Sequence, residues 1–471
     1  MIAGTKSDTS VVPAAYNTTY TWTISLVAAL GGLLFGYDWV VIGGAKPFYE
    51  KFFRLTEASQ QGWAMSCALV GCLAGALISG ALSGRFGRRR LLTFTALLFA
   101  LSSLGTALAN TFGHFVEWRL AGGIAIGLAS SLSPMYIAEI SPPQVRGKLV
   151  SLNQLTIVIG ILLAQFINWA IARPVPLGAT AQDILNSWNG QVGWRWMFGV
   201  TAIAAIFFLA GTLAVPESPR WLAQKGQAEQ ARRVLAKIGG EAYSAGAMAE
   251  IEASLGRVAR KTSFRDLLDP KAFRVLSLAV VLAVFQQWCG INVIFNYAED
   301  VFAAAGYNVS AILFDIVVTG VVNLVFTVVA ISMVDRAGRR ILMLIGAAGL
   351  AIIYAVLGAG YRQGSHGFGM LLVVVAAIAC YAMSLAPVTW VVIAEIFPNR
   401  MRGIGMSLAV ASLWIASFIL TYTFPLLNHD LGPAGTFWIY AAICIAGFVF
   451  IKFRLPETKG KTLEEIEKAA F

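Results

Sequence analysis

Charge is scarce in this sequence. Asp, Glu, Lys and Arg make up 13% of its 471 residues, about half of the roughly 25% that soluble domains carry. Too few charges remain to clothe a water-facing surface of this size, and a soluble enzyme is excluded. Histidine is nearly missing: His114, His366 and His429 stand far apart, and none has the HExxH or Cys/His spacing that a metal site needs. The five cysteines (Cys67, Cys72, Cys289, Cys380 and Cys444) lie singly in apolar runs. They read as small core residues rather than a disulfide framework or a redox pair. There is no GxxxxGK[ST] loop for a nucleotide and no nucleophile elbow. Neither ATP-driven nor hydrolytic chemistry is expected, and no cofactor or metal is called for.

Apolar residues fill the space that charge leaves. Hydrophobic side chains make up 58% of the chain, with 46 Gly, 29 Phe and 13 Trp, and the mean hydropathy is +0.72. Windows of about 20 apolar residues, enough to cross a ~30 Å hydrocarbon core, occur twelve times. They fall at 22–44, 63–83, 91–110, 115–138, 149–170, 195–215, 276–304, 311–334, 341–361, 368–396, 403–424 and 434–454. The lipid bilayer is therefore the expected solvent. With the N-terminus placed in the cytoplasm, cytoplasmic segments hold 28 Lys and Arg and the outer loops hold 5, namely Lys46, Lys51, Arg54, Arg173 and Arg362. The positive-inside rule then puts both termini in the cytoplasm. That asymmetry accounts for the net charge of +11, and no nucleic-acid partner is needed. The first 20 residues are polar and lack the pattern of a cleaved signal peptide, so the first span is expected to act as the targeting signal.

A hydrophilic stretch at 216–275 divides the chain, and the two sides echo each other. Arg85-Phe86-Gly87-Arg88-Arg89-Arg90 follows the second span, and Asp335-Arg336-Ala337-Gly338-Arg339-Arg340 follows the eighth. Glu139 with Arg146 follows the fourth, as Glu395 with Arg402 follows the tenth. Pro216-Glu217-Ser218-Pro219-Arg220 after span six matches Pro456-Glu457-Thr458-Lys459-Gly460 after span twelve. The expected organisation is a cytoplasmic segment 1–21, a six-helix bundle 22–215, a linker with short helices 216–275, a second bundle 276–454 and a tail 455–471. Guanidinium forks in these loops can cap helix C-terminal carbonyls and pair with Glu139 or Glu395. Arg85, Arg88, Arg89, Glu139, Arg146, Asp335, Arg336, Arg339, Arg340, Glu395 and Arg402 are accordingly expected to form a gating charge network.

These motifs, together with Gly31-Gly32-Leu33-Leu34-Phe35-Gly36-Tyr37-Asp38 and Gln286-Gln287 followed by Gly290-Ile291-Asn292, resemble the sugar porter family of the major facilitator superfamily over nearly the whole chain. The resemblance implies an all-α membrane protein of twelve transmembrane helices in two pseudo-symmetric six-helix bundles. It further implies a sugar site near the midplane and alternating access by rocking. The linker would be the family's short cytoplasmic helical domain, and 221–238 has helical periodicity.

Two charges stand inside spans. Asp38 lies in the first, where an ionised carboxylate is costly unless paired or protonated. Arg119, in the fourth, is the obvious partner because a guanidinium stays charged. Proton binding to Asp38 would release Arg119 and bias the two access states differently. Proton-coupled members of the family resemble this sequence in having Asp at this position. Glu117, Glu299, Asp300 and Asp315 lie at span edges and read as solvated ends.

A sugar asks for amides that both donate and accept, and for flat apolar walls. Gln154, Gln286, Gln287, Asn292 and Asn323 supply intramembrane amides, with Phe35, Trp390 and Trp414 as candidate walls. Gln286 and Gln287 point about 100° apart on a regular helix, so a local break near Gly290 is expected. Pro387 is a candidate hinge in span ten, although Ala386 replaces the family's Gly before it. Against some bacterial pentose porters, Ile161 and Leu413 stand at Gln positions and Leu385 at a Trp position, and Gly84 stands where the family's first R-x-G-R-R loop often has Asp. Asn296 stands where many members have Tyr.

The expected function is secondary active transport of a monosaccharide, hexose or pentose, with proton symport, by a monomer in a bacterial inner membrane. Sugar and proton are the partners. A facilitative uniporter, a polyol:proton symporter and a non-transporting sensor are the alternatives. Fewer than 20 residues follow the last span, short for a sensor's tail.

Overall fold

The computed structural model describes residues 16–176, 178–257, 269–307, 309–397 and 402–457. Their regular structure is helical. The first half comprises α1 (Thr18–Phe52), α2 (Ala58–Phe86), α3 (Arg88–Leu108), α4 (Phe112–Ile140), α5 (Arg146–Ile171), α6 (Ala181–Asn186), a π-helical turn at Asn189–Gly193, α7 (Trp194–Gly199) and α8 (Thr201–Ala214). In the linker come α9 (Pro219–Gln224) and α10 (Ala228–Arg257), the latter interrupted at Gly239 and Gly240, where the backbone is non-helical. The second half runs through α11 (Pro270–Trp288), α12 (Ile291–Asn296), α13 (Ala298–Ala304), α14 (Val309–Ala337), α15 (Arg339–Arg362), α16 (Phe368–Met383), α17 (Leu385–Ile396) and α18 (Arg402–Arg454).

Among the described residues, eleven helical segments are long and apolar enough to span a bilayer. The last of them holds two spans. α18 has 53 residues, and Gly432 inside it is non-helical at φ 68° and ψ 173°, with Pro433 following. Twelve crossings result, in two halves of six.

Some boundaries differ from the sequence reading. α1 continues eight residues past 44 to Phe52, with Pro47 inside it, so Lys46, Glu50 and Lys51 are helical rather than part of an outer loop. The helical periodicity at 221–238 is shared between α9 and α10, which are separated by a turn at Gly226, whose φ of +75° is a conformation that glycine adopts freely. Span seven breaks at Gly290 (φ +87°), between α11 and α12. Span ten breaks at Ser384 (φ −125°, ψ −84°). Pro387 has no N–H, and its ring crowds the carbonyl four residues back, at Met383, which is where α16 stops.

Small residues bring the helices together. In lipid there is little hydrophobic drive for association, and close packing must replace it. Gly71 and Gly75 of α2 face Gly123 and Gly127 of α4. A Cβ on Gly71 would collide with the Leu120 carbonyl and one on Gly123 with the Ala68 carbonyl. The seams between the halves run along α2 against α18 and α5 against α14.

Replacing Gly123 by Val should cost about 1–3 kcal/mol, the usual penalty of overpacking, read as a lower unfolding midpoint in detergent. Gly113→Val, where a Cβ meets nothing within 4 Å, should leave the midpoint unchanged. Equal midpoints for all three proteins would refute the packing argument.

Candidate functional site

Asp38 sits in α1 and Arg119 in α4, 5% and 3% exposed. The contact is narrower than a two-nitrogen fork. Nη1 of Arg119 alone donates to both Asp38 carboxylate oxygens, each at 3.0 Å, while Nη2 reaches the Asp38 carbonyl at 3.5 Å. The guanidinium carbon lies 5.5 Å from the Phe198 ring centroid, a cation–π contact that offsets part of the desolvation cost. Its Nε has no described partner. A small cavity adjoins the pair, bounded by Arg119, Trp39 and Cys72 of the first half and Asn296 of the second.

The break at Gly290 shapes the amide cluster. Nε2 of Gln287 donates to Oε1 of Gln286 at 3.2 Å, and the Asn292 amide donates to the Gln287 oxygen across the break. All three are buried. Asn323 is buried on α14, whereas Gln154 on α5 is exposed and Trp390 half-buried. Among the described residues these three share no hydrogen bond or ring contact with the cluster. Phe35 and Trp414 do meet, with ring centroids 6.1 Å apart across the two halves. Trp39, which the sequence reading passed over, joins them at 6.0 Å from Phe35 and 5.7 Å from Trp414.

At the face where the arginine loops lie, the sequence repeat becomes a structural one. Gly87 and Gly338 turn with φ of +95° and +90°. The N–H groups of Arg88 and Arg89 then donate to Glu217 at 2.8 and 3.1 Å, and those of Arg339 and Arg340 to Glu457 at 3.1 and 3.2 Å. Each carboxylate thus receives the N-terminal amides of a helix, where a negative charge is stabilised. Nη2 of Arg88 pairs with Glu139 at 2.9 Å, and Nη2 of Arg339 with Glu395 at 3.3 Å. Arg89 caps the Thr212 and Leu213 carbonyls at 3.2 and 2.6 Å, and Arg340 caps that of Lys452 at 2.6 Å. Arg146 reaches the Ser141 carbonyl at 3.4 Å, and Arg85 lies over Phe86. The side chains of Asp335, Arg336 and Arg402 lie outside the described residues. Glu217 and Glu457 were visible in the sequence as motif letters, but their capping role was not.

The opposite face carries ion pairs that the sequence reading missed. Lys46 is 3% exposed, and its Nζ lies 2.7 Å from Glu299, 2.9 Å from Asp300 and 3.6 Å from Glu50. The expectation that Glu299 and Asp300 are merely solvated is therefore corrected. They are the counterions of a buried ammonium on the other half. Among the described residues, the ion pairs that join the halves are those of Lys46, whereas Arg88–Glu139 and Arg339–Glu395 each stay within one half. Asp315, also read as a solvated end, is 6% exposed on α14.

Arg119→Leu should strand the Asp38 carboxylate and cost about 3–5 kcal/mol, read as a lowered unfolding midpoint. Adding Asp38→Asn should restore most of it. A double variant as unstable as the single would contradict the pairing.

The family model described as "Sugar (and other) transporter" matches residues 24–470. The chain is 41% identical over 483 residues to the D-xylose-proton symporter of Escherichia coli (strain K12), covering 96% of each. It is 38% identical over 446 residues to the arabinose-proton symporter of Bacillus subtilis (strain 168), covering 94% of each. Among solved structures, it superposes on the inward open conformation of the xylose transporter XylE from E. coli with a TM-score of 0.83 and 39% identity, covering 96% of this chain and 100% of that one.

Proposed function

Because the chain belongs to the sugar (and other) transporter family, we propose that it carries a monosaccharide, a pentose or a hexose, across a bacterial cell membrane by alternating access, coupled to symport of a proton. The observation that carries the coupling is the buried Arg119–Asp38 pair. A guanidinium keeps its charge while a carboxylate can lose its own. Protonating Asp38 removes the anion that holds Arg119, so the tie between α1 and α4 loosens. Any state in which Arg119 is satisfied elsewhere then gains population. The names of the relatives, both proton symporters, support this reading.

The sugar sits between the halves in this account. Gln286, Gln287, Asn292, Asn323 and Gln154 offer donors and acceptors to its hydroxyls, and Phe35, Trp390 and Trp414 offer apolar faces. The hydrogen bonds that join Gln286, Gln287 and Asn292 across the break at Gly290 support it, because they gather the three amides in one place. The break at Ser384 with Pro387 gives α17 freedom to tilt against α16. Residues 22–215 and 276–454 act as the two rocking bundles, joined by 216–275, with both termini in the cytoplasm. The arginine-loop face is then the cytoplasmic one, and its charge network stiffens each bundle. The Lys46 pairs close the outer face, because Lys46 belongs to one bundle and Glu299 and Asp300 to the other.

Asp38→Asn should abolish accumulation driven by a proton gradient in proteoliposomes while sparing exchange of labelled sugar at equal concentrations. Full concentrative uptake by this variant would remove Asp38 from coupling. Lys46→Gln should shift the resting population toward the outward-open form. A cysteine placed at Gln61, in the cleft beside Lys46, should then react several-fold faster with an impermeant thiol reagent, and an unchanged rate would contradict the closure role.

A further inference from the structure

Gln165 of α5 is 1% exposed, and both of its amide heteroatoms, Nε2 and Oε1, are buried without a partner. Among the described residues it is the one side chain with two such atoms. An unsatisfied buried polar group destabilises the fold that holds it, and an apolar side chain of similar size would avoid that cost. Its neighbours show that the site tolerates apolar groups, since Ile161 lies one turn back and Leu162 packs beside it against α14.

The position of this amide matters as much as its lack of partners. It lies in the seam between α5 and α14, one helix from each half. A Cβ on Gly320 of α14 would collide with the Gln165 oxygen, so the bare glycine leaves room for the amide. Asn323 is three residues further along α14, about one turn away on the same side. Gln154 is eleven residues before Gln165 on α5, and eleven steps of 100° close to within about 20° of three full turns. Gln154, Ile161 and Gln165 therefore share one face of α5, with about 16 Å from first to last. Ile161 interrupts the polar face, and Gln165 restores an amide one turn nearer the Lys46 end.

We propose that Gln165 is a specificity-determining residue for the transported sugar. When the α5–α14 seam parts, its amide hydrogen-bonds a sugar hydroxyl at the Lys46 end of the path. The amide is satisfied in the sugar-loaded open state and orphaned in the closed one, so sugar binding and seam opening favour each other. This inference rests on the transport reading above and deepens it by naming a hydroxyl-reading contact outside the Gln286–Gln287–Asn292 cluster.

The test compares wild type with Gln165→Leu and Gln165→Met, which keep bulk and remove the amide, in proteoliposomes supplied with D-xylose, L-arabinose, D-glucose or D-galactose. For the sugar that wild type moves, both variants should raise KM about tenfold or more. They should also lose most of the wild-type discrimination between that sugar and one of its monodeoxy analogues, while unfolding at the wild-type temperature or above. Unchanged KM and unchanged discrimination in a transporting protein would overturn the inference alone. A lowered unfolding temperature would overturn it too, by showing that the amide has a partner in the resting fold. A wild type that moves none of the four sugars would sink the transport reading itself, a separate outcome.

Discussion

An ionised group inside an apolar bundle must be matched by another, and most of this structure can be organised around where the few matches are made. Among the described residues of the helical bundles, buried charge is matched in one pair in the membrane interior, in two equivalent clusters at the arginine-loop face and in one cluster at the opposite end. The interior pair, Asp38 with Arg119, holds α1 to α4 within one half. The arginine clusters likewise stay within their halves, through Arg88–Glu139 and Arg339–Glu395. Lys46 reaches from one half to acidic groups of the other. Few charged contacts between the halves among the described residues suit the proposed rocking of one bundle against the other.

Packing supplies the rigidity that charge cannot. The glycines of α2 and α4 interlock so closely that a single Cβ would strike backbone, which ties these two helices of the first half together. Two spans are interrupted midway, at Gly290 and at Ser384 before Pro387. Both lie in the second half, in segments that carry candidate sugar contacts: Gln286, Gln287 and Asn292 around the first, Trp390 just past the second.

Much of this was legible in the sequence because it is written in local patterns. Twelve apolar windows, the repeated arginine loops and a lone acid facing a lone base require no knowledge of distant contacts. What stayed hidden depends on pairings across long separations. Lys46 and Glu299 are 253 residues apart, and each looks like a residue near a water-facing span end when read alone. The apolar window of the first span ends at 44, yet α1 continues through Pro47 to Phe52. Trp39 was one tryptophan among 13 until Phe35 and Trp414 closed around it. Glu217 and Glu457 were recognised as parts of a motif, but only the turn at Gly87 and Gly338 shows that their carboxylates receive the amides of the following helix.

The account thus rests on one carboxylate whose charge can be removed and one guanidinium whose charge cannot. Its most direct test is a pH electrode in a lightly buffered suspension of de-energised right-side-out vesicles containing the protein. Addition of the transported sugar should make the external medium alkaline at once, in proportion to the sugar taken up, and a protonophore should abolish the change. Sugar entry with no alkalinisation would contradict proton symport and leave the Asp38–Arg119 pair as a structural tie.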